Sequence, residues 1–142
     1  GDVHVVVGPR GRVRLANGRL IVEPPHRKPK VDASLIVAEV RSGPWIGTLL
    51  DEGYDVEVRY AEYTDLQTPA GLREGHAHPR PRLLFDHRRV WIARVANVSA
   101  DDARFASTGP TTSGFTADED FLLVYSADAT TVLAGTAFPS GT

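Results

Sequence analysis

Arg12-Val13-Arg14-Leu15-Ala16-Asn17-Gly18-Arg19-Leu20-Ile21-Val22-Glu23 decides the fold class. Val13 and Leu15 alternate with Arg12 and Arg14, the period-two pattern of a half-buried strand. Asn17-Gly18 supplies two residues that tolerate positive φ, the strongest short hairpin signal. Leu20-Ile21-Val22 then returns as a second strand. The result is a hairpin with one apolar face and one face carrying Arg12 and Arg14.

The same period recurs on both sides of this hairpin. Residues 3–7 read as a strand before it. After it, residues 35–40, 45–50, 54–63, 90–98, 121–126 and 130–138 are expected as strands, the last two as a closing hairpin. Residues 45–50 and 54–63 are expected to pair across Asp51-Glu52-Gly53. Val56, Val58 and Tyr60 alternate with Asp55, Glu57 and Arg59, which gives a strand with a charged outer face. In 90–98, Val90, Ile92, Arg94 and Ala96 share one side, and Trp91, Ala93, Val95 and Asn97 the other. One helical turn is expected at 101–106, capped by Ser99 or Asp101. About eight to nine short strands with little helix predict an all-β, antiparallel sandwich or barrel of jelly-roll-like form.

Pro24-Pro25-His26-Arg27-Lys28-Pro29-Lys30 interrupts the pattern. Its three prolines lack the N–H that a ladder needs, so it is an extended connector. The expected organisation is a hairpin arm and connector over residues 1–30 and a main β domain over 31–142, within one compact unit. Long loops are expected over 64–82 and 99–119.

Composition narrows the function classes. With no Cys among 142 residues, disulfides, thiolate metal sites and Cys nucleophiles are excluded. The net charge of -2 gives no global attraction to nucleic acid. No apolar run approaches the ~18 residues of a membrane span. With no Met, the chain reads as a piece of a longer protein, and its expected place is a virion or extracellular surface.

Two features bear on chemistry. His76-Ala77-His78, with His87 beyond, has the spacing of a metal-binding pair on a strand. Pro79 and Pro81 put the pair on a loop, and no Glu follows at ligand spacing, so no metal and no cofactor are assigned. The surrounding stretch is basic. Arg73, His76, His78, Arg80, Arg82, His87, Arg88 and Arg89 form the expected ligand-binding set, because clustered guanidiniums grip anionic groups in bidentate fashion. Phe85 and Trp91 stand ready to stack. An anionic glycan fits this set, and near-zero total charge disfavours nucleic acid. Asn97-Val98-Ser99 is a glycosylation sequon. Neither a Gly-x-Ser-x-Gly elbow nor a Gly-x-x-x-x-Gly-Lys loop occurs.

Val40-Arg41-Ser42-Gly43 and Gly47-Thr48-Leu49-Leu50-Asp51-Glu52-Gly53-Tyr54 resemble two motifs of the trimeric dUTPase family, its Arg-Ser-Gly turn and its uridine-binding hairpin. Phe105-Ala106-Ser107-Thr108-Gly109 is similar to that family's glycine-rich tail. The resemblance implies a β-hairpin at 47–54, with Asp51 and Tyr54 flanking a nucleoside and Arg41 at a phosphate. One residue is inserted between Leu49 and Asp51, and the two motifs lie closer together than in the family.

The expected function is therefore a non-enzymatic binding or assembly β domain of a larger surface protein of the viral or phage capsid or spike kind. Its expected partners are further copies of itself or a host protein. The alternatives are a dUTPase-like nucleotide hydrolase and a metal-dependent, cupin-like barrel using His76 and His78.

Overall fold

The computed structural model describes residues 1–67, 83–102 and 118–142. Among these described residues, seven strands form one mostly antiparallel sheet that does not close on itself. They are β1 (Val3–Val6), β2 (Val13–Leu15), β3 (Leu20–Glu23), β4 (Val56–Asp65), β5 (Phe85–Val98), β6 (Glu119–Ser126) and β7 (Val132–Pro139). Their order is β2-β3-β4-β5-β6-β7, and β1 pairs with β4 in parallel. One edge of β4 is thus shared. Its first half, Val56 to Arg59, pairs with β1, and its second half, Glu62 to Asp65, pairs with β3. The first thirty residues are stitched into the same sheet as the rest.

The β2–β3 turn departs from a two-residue hairpin. Ala16, Asn17 and Gly18 have φ of 54°, 55° and 87°, a short left-handed run. Gly18 N–H donates to the Leu15 carbonyl and Arg19 N–H to that of Ala16. Asn and Gly adopt this conformation readily, and Ala16 adopts it at a steric cost.

Side-chain alternation gives the sheet two apolar faces. On one, Val56, Val58, Trp91, Ala93, Val95, Leu123 and Tyr125 pack beneath two helices, α1 (Ala33–Ser42) and α2 (Ile46–Asp51). On the other, Leu20, Val22, Ala61, Tyr63, Val90, Ile92, Leu122, Val124 and Phe138 form a second core with Leu15 against it. Among the described residues no helix covers this second face. The sheet covers it by curling. Arg19, at the β2–β3 turn, hydrogen-bonds Thr136 of β7, although β4, β5 and β6 lie between β3 and β7. The architecture is an open, half-curled barrel with helices on its convex face.

Both helices replace expected strands. Residues 35–40 belong to α1 and 45–50 largely to α2. Leu35-Ile36-Val37 is a continuous apolar run, which periodicity cannot divide between strand and helix. The deciding signals lie at its ends. The Asp32 carboxylate accepts from Ser34 N–H as an N-cap, and Gly43-Pro44 stops the helix. The Ser34 hydroxyl and N–H hold the Asp32 carboxyl below its usual range. Ile36 and Val40, four apart, are the buried pair. In α2 the buried residues are Ile46, Leu49 and Leu50, again at helical spacing. Helix and turn therefore stand where the dUTPase resemblance implies a hairpin. Asp51 ends α2 in solvent. The Tyr54 hydroxyl donates to Asp102 at 2.6 Å and accepts from Ser99 N–H at 3.1 Å, so it braces the turn that follows β5 instead of facing a nucleoside. Ser99 caps the turn at Ala100 through Asp102 N–H.

β4, β5 and the β6–β7 hairpin lie where the alternation places them. β5 runs longer than expected and carries two bulges. Asp86 and His87 together oppose Thr64, and Ala96 and Asn97 together oppose Asp120.

Candidate functional site

On the helix side of the sheet, α1 and α2 leave part of the surface to other segments. There, alternation along β4 puts Tyr60 and Glu62 on one face, and along β5 it does the same for Arg89 and Trp91. The chain leaving β1 crosses this face at Gly8, where a Cβ would lie 2.8 Å from the Tyr60 carbonyl oxygen. That close approach requires glycine. The Pro-rich connector crosses nearby. Its far end is tied down, since Lys30 and Val31 N–H both donate to the Ala127 carbonyl and Trp91 Nε1 donates to that of Val31.

Between these two crossings lies an apolar groove of about 290 Å³, with Val5, Val7, Pro9, Pro25, Tyr60 and Trp91 in its walls. The Tyr60 and Trp91 rings are 5.3 Å apart, centroid to centroid. Val5 is 52% exposed and Val7 90%, so the apolar surface continues out of the groove along β1. The Tyr60 hydroxyl is buried and has no hydrogen-bond partner among the described residues.

A charged cluster adjoins the groove. It is built by the first β5 bulge, which turns His87 to φ 48°. His87 N–H donates to Thr64 Oγ1 at 3.0 Å instead of to a ladder carbonyl. The imidazole Nδ1 then lies 3.3 Å from a Glu23 oxygen and 3.6 Å from one of Glu62, with Asp86 3.8 Å from Nε2. His26, next to Pro25, reaches the other Glu62 oxygen at 3.6 Å. Arg89 stands opposite Glu62 in the ladder.

Of the residues expected to bind an anionic ligand, His87, Arg88 and Arg89 are described, and Arg73, His76, His78, Arg80 and Arg82 lie outside the described residues. The three described members do not share one surface. His87 sits among three carboxylates. Arg88 and Arg89, adjacent in a strand, project to opposite faces, and the Arg88 guanidinium rests 5.9 Å from the Phe85 ring centroid. Glu23, His26 and Glu62 were not in the expected set. The signal for Glu62 was present, two residues beyond Tyr60 in an alternating strand. Glu23 comes from β3 and His26 from the connector that follows it, and only the pairing of β3 with β4 brings them in.

Among the described residues, Asp2, His4 and Asp55 are a group whose ligating atoms all lie within 4.8 Å of one another. All three are exposed, and Asp55 already accepts from Asp2 N–H at 2.8 Å. A second hollow, of about 40 Å³, opens on the concave face between Leu15, Ile92, Leu122 and the side chains of Arg59 and Arg94. It has room for little more than a water molecule. No known protein family, curated protein or solved structure matches the chain.

Proposed function

We propose that the chain is a non-enzymatic binding and assembly domain that engages partners through the β1 edge and the groove beside it. One observation carries this reading: an exposed apolar strip, Val5 and Val7, runs into an apolar groove that has a charged cluster on its flank. Contiguous exposed apolar surface with a polar rim marks interaction sites. A groove of this volume reaches the lower end of the range that takes a small ligand or a partner side chain. The unpaired Tyr60 hydroxyl adds a polar group able to orient what enters, because a buried hydroxyl gains by finding a partner.

The test uses the apolar dye anilinonaphthalene sulfonate as a groove probe, at high dilution. The wild-type chain brightens the dye, and Val7→Glu and Val5→Glu weaken that signal about tenfold or more by placing a carboxylate at the groove mouth, where it repels the dye's sulfonate and breaks the apolar strip. Dye binding that neither glutamate disturbs would overturn the reading.

A further inference from the structure

We infer that the partner of the β1 edge is a second copy of this chain, joined by antiparallel β1–β1 pairing about a two-fold axis at Val5. This rests on the binding reading above and names its occupant.

Among the described residues the sheet has three outer strands, and they differ in how they are guarded. β2 is three residues long, carries Arg14 at its centre and follows Arg12, charges of the kind that block edge pairing. β7 ends on Pro139, and the Arg19 contact brings the β2–β3 turn against it. β1 has neither defence. With the residue that follows it, the strand reads Val3-His4-Val5-Val6-Val7, with four β-branched residues and no proline before Pro9.

Backbone geometry fixes which groups are open. Val56 N–H donates to the Asp2 carbonyl. In a parallel ladder alternate residues face the partner strand, so Asp2, His4 and Val6 are turned toward β4. Val3 and Val5 therefore point N–H and C=O outward, where no described strand meets them, and the same alternation carried one residue past β1 gives Val7 the same orientation. A two-fold centred on Val5 places Val5 opposite Val5 and Val3 opposite Val7. These are the outward-facing residues, so all three pairs are hydrogen-bonded pairs and the open groups of both copies are satisfied together.

The side chains agree with this register. Val3, Val5 and Val7 lie on the groove side, so the pairing makes valine–valine cross-strand contacts and joins the apolar strips of the two copies. It covers Val7, the most exposed large apolar residue described. Any other two-fold register either loses hydrogen-bonded pairs or sets inward-facing residues against outward-facing ones.

Because the chain has no cysteine, single introduced cysteines report on this geometry without background. Sedimentation velocity over a concentration series should show reversible doubling of the mass. Val5→Pro should abolish it with an unchanged melting temperature, because the Val5 N–H faces outward and the β1–β4 ladder does not use it. Under mild oxidation Val5→Cys should cross-link to itself. His4→Cys and Val6→Cys should cross-link when mixed and not alone, since they oppose each other across the two-fold. A chain that stays monomeric at every concentration, with no Val5→Cys dimer, overturns the inference. If the groove then still binds the dye in a Val7-dependent way, the binding reading stands and only its occupant is wrong. Cross-linking of His4→Cys to itself would overturn the register.

Discussion

The two bulges of β5 solve the same backbone problem with different residues. At one end Asp86 and His87 oppose Thr64; at the other Ala96 and Asn97 oppose Asp120. In each, the second residue is left-handed, His87 at φ 48° and Asn97 at φ 56°. In each, its displaced N–H finds a side-chain oxygen on the neighbouring strand, Thr64 Oγ1 at 3.0 Å or Asp120 Oδ1 at 2.9 Å. Both acceptors are buried. The difference lies in what else the acceptor holds. Thr64 satisfies one donor. Asp120 also accepts from the Ser140 hydroxyl and pairs with Arg94, so it ties β5, β6 and the end of β7 together. The Asp120 bulge is a fastening. The Thr64 bulge ends in an exposed imidazole aimed at Glu23 and Glu62, beside the groove. A bulge that re-aims a side chain toward a surface cluster is the arrangement expected near a functional site.

The largest effect should follow from cutting the fastening. Asp120→Ala strands the Asn97 N–H and Ser140 hydroxyl and leaves Arg94 unpaired, at a cost of about 3 kcal/mol. Thermal unfolding followed by circular dichroism should show a fall in Tm of about 10 °C. The pH profile carries the same signature. Burial alone would raise the Asp120 carboxyl, but the Asn97 N–H, the Ser140 hydroxyl and Arg94 together bring it below its ordinary value. A carboxyl depressed in the fold stabilises above its unfolded value, so this contribution is present above about pH 4 and is lost as pH falls through the folded value. Asp120→Asn should flatten that acid limb. If Asp120→Ala melts like the wild type, the two bulges are equivalent and the contrast fails.

Thr64→Val removes a single acceptor at the other bulge. It should cost about 1 kcal/mol, the penalty of one unsatisfied backbone N–H. Hydrogen exchange at His87 should quicken while exchange at Asn97 is unchanged. Faster exchange at both would mean that the bulges are coupled along β5.

These contrasts also show what the residues disclosed in advance. Alternation placed β4, the core of β5 and the β6–β7 hairpin, because each buries one set of side chains per face and so writes a period of two. It failed at α1 and α2, where Leu35-Ile36-Val37 and Leu49-Leu50 are apolar neighbours without alternation; Asp32 and Gly43-Pro44 were the helix signals. Neither bulge was visible, because His87 and Asn97 occupy positions where glycine would have announced positive φ. The parallel pairing of β1 was hidden for another reason. It joins segments fifty residues apart, and local pattern does not encode which edge a strand chooses. Of the groove and its rim, His87, Arg89 and Trp91 were singled out beforehand. Glu62 follows from the alternation of β4, whereas Glu23, Pro25 and His26 depend on the pairing of β3 with β4, which local pattern does not encode either.

His87→Gly tests whether the imidazole is held against its preference. Glycine relieves the left-handed strain of a Cβ but gains freedom in the unfolded chain, and the contacts of the exposed imidazole that are lost are worth little. The net result should be a gain of about 0.5 kcal/mol, measured by urea unfolding. A loss of stability would mean that the contacts to Glu23 and Glu62 outweigh the strain, making the cluster structural.

Asn97→Gly is the matched control, with the smallest expected effect. Asparagine is enriched in the left-handed region, so little strain remains for glycine to relieve. Asn97 is exposed, and its backbone N–H, which glycine keeps, makes the bond to Asp120. The change in unfolding free energy should stay within about 0.3 kcal/mol, from the freedom glycine adds to the unfolded chain. The quantity of interest is the difference between the two glycine variants. Both have the same backbone conformation and the same type of N–H bond, so subtraction leaves the cost of seating His instead of Asn in a bulge. A difference near zero would make His87 an ordinary bulge residue. A clear gain at His87 alone would show that this end of β5 sacrifices stability to hold an imidazole beside the groove.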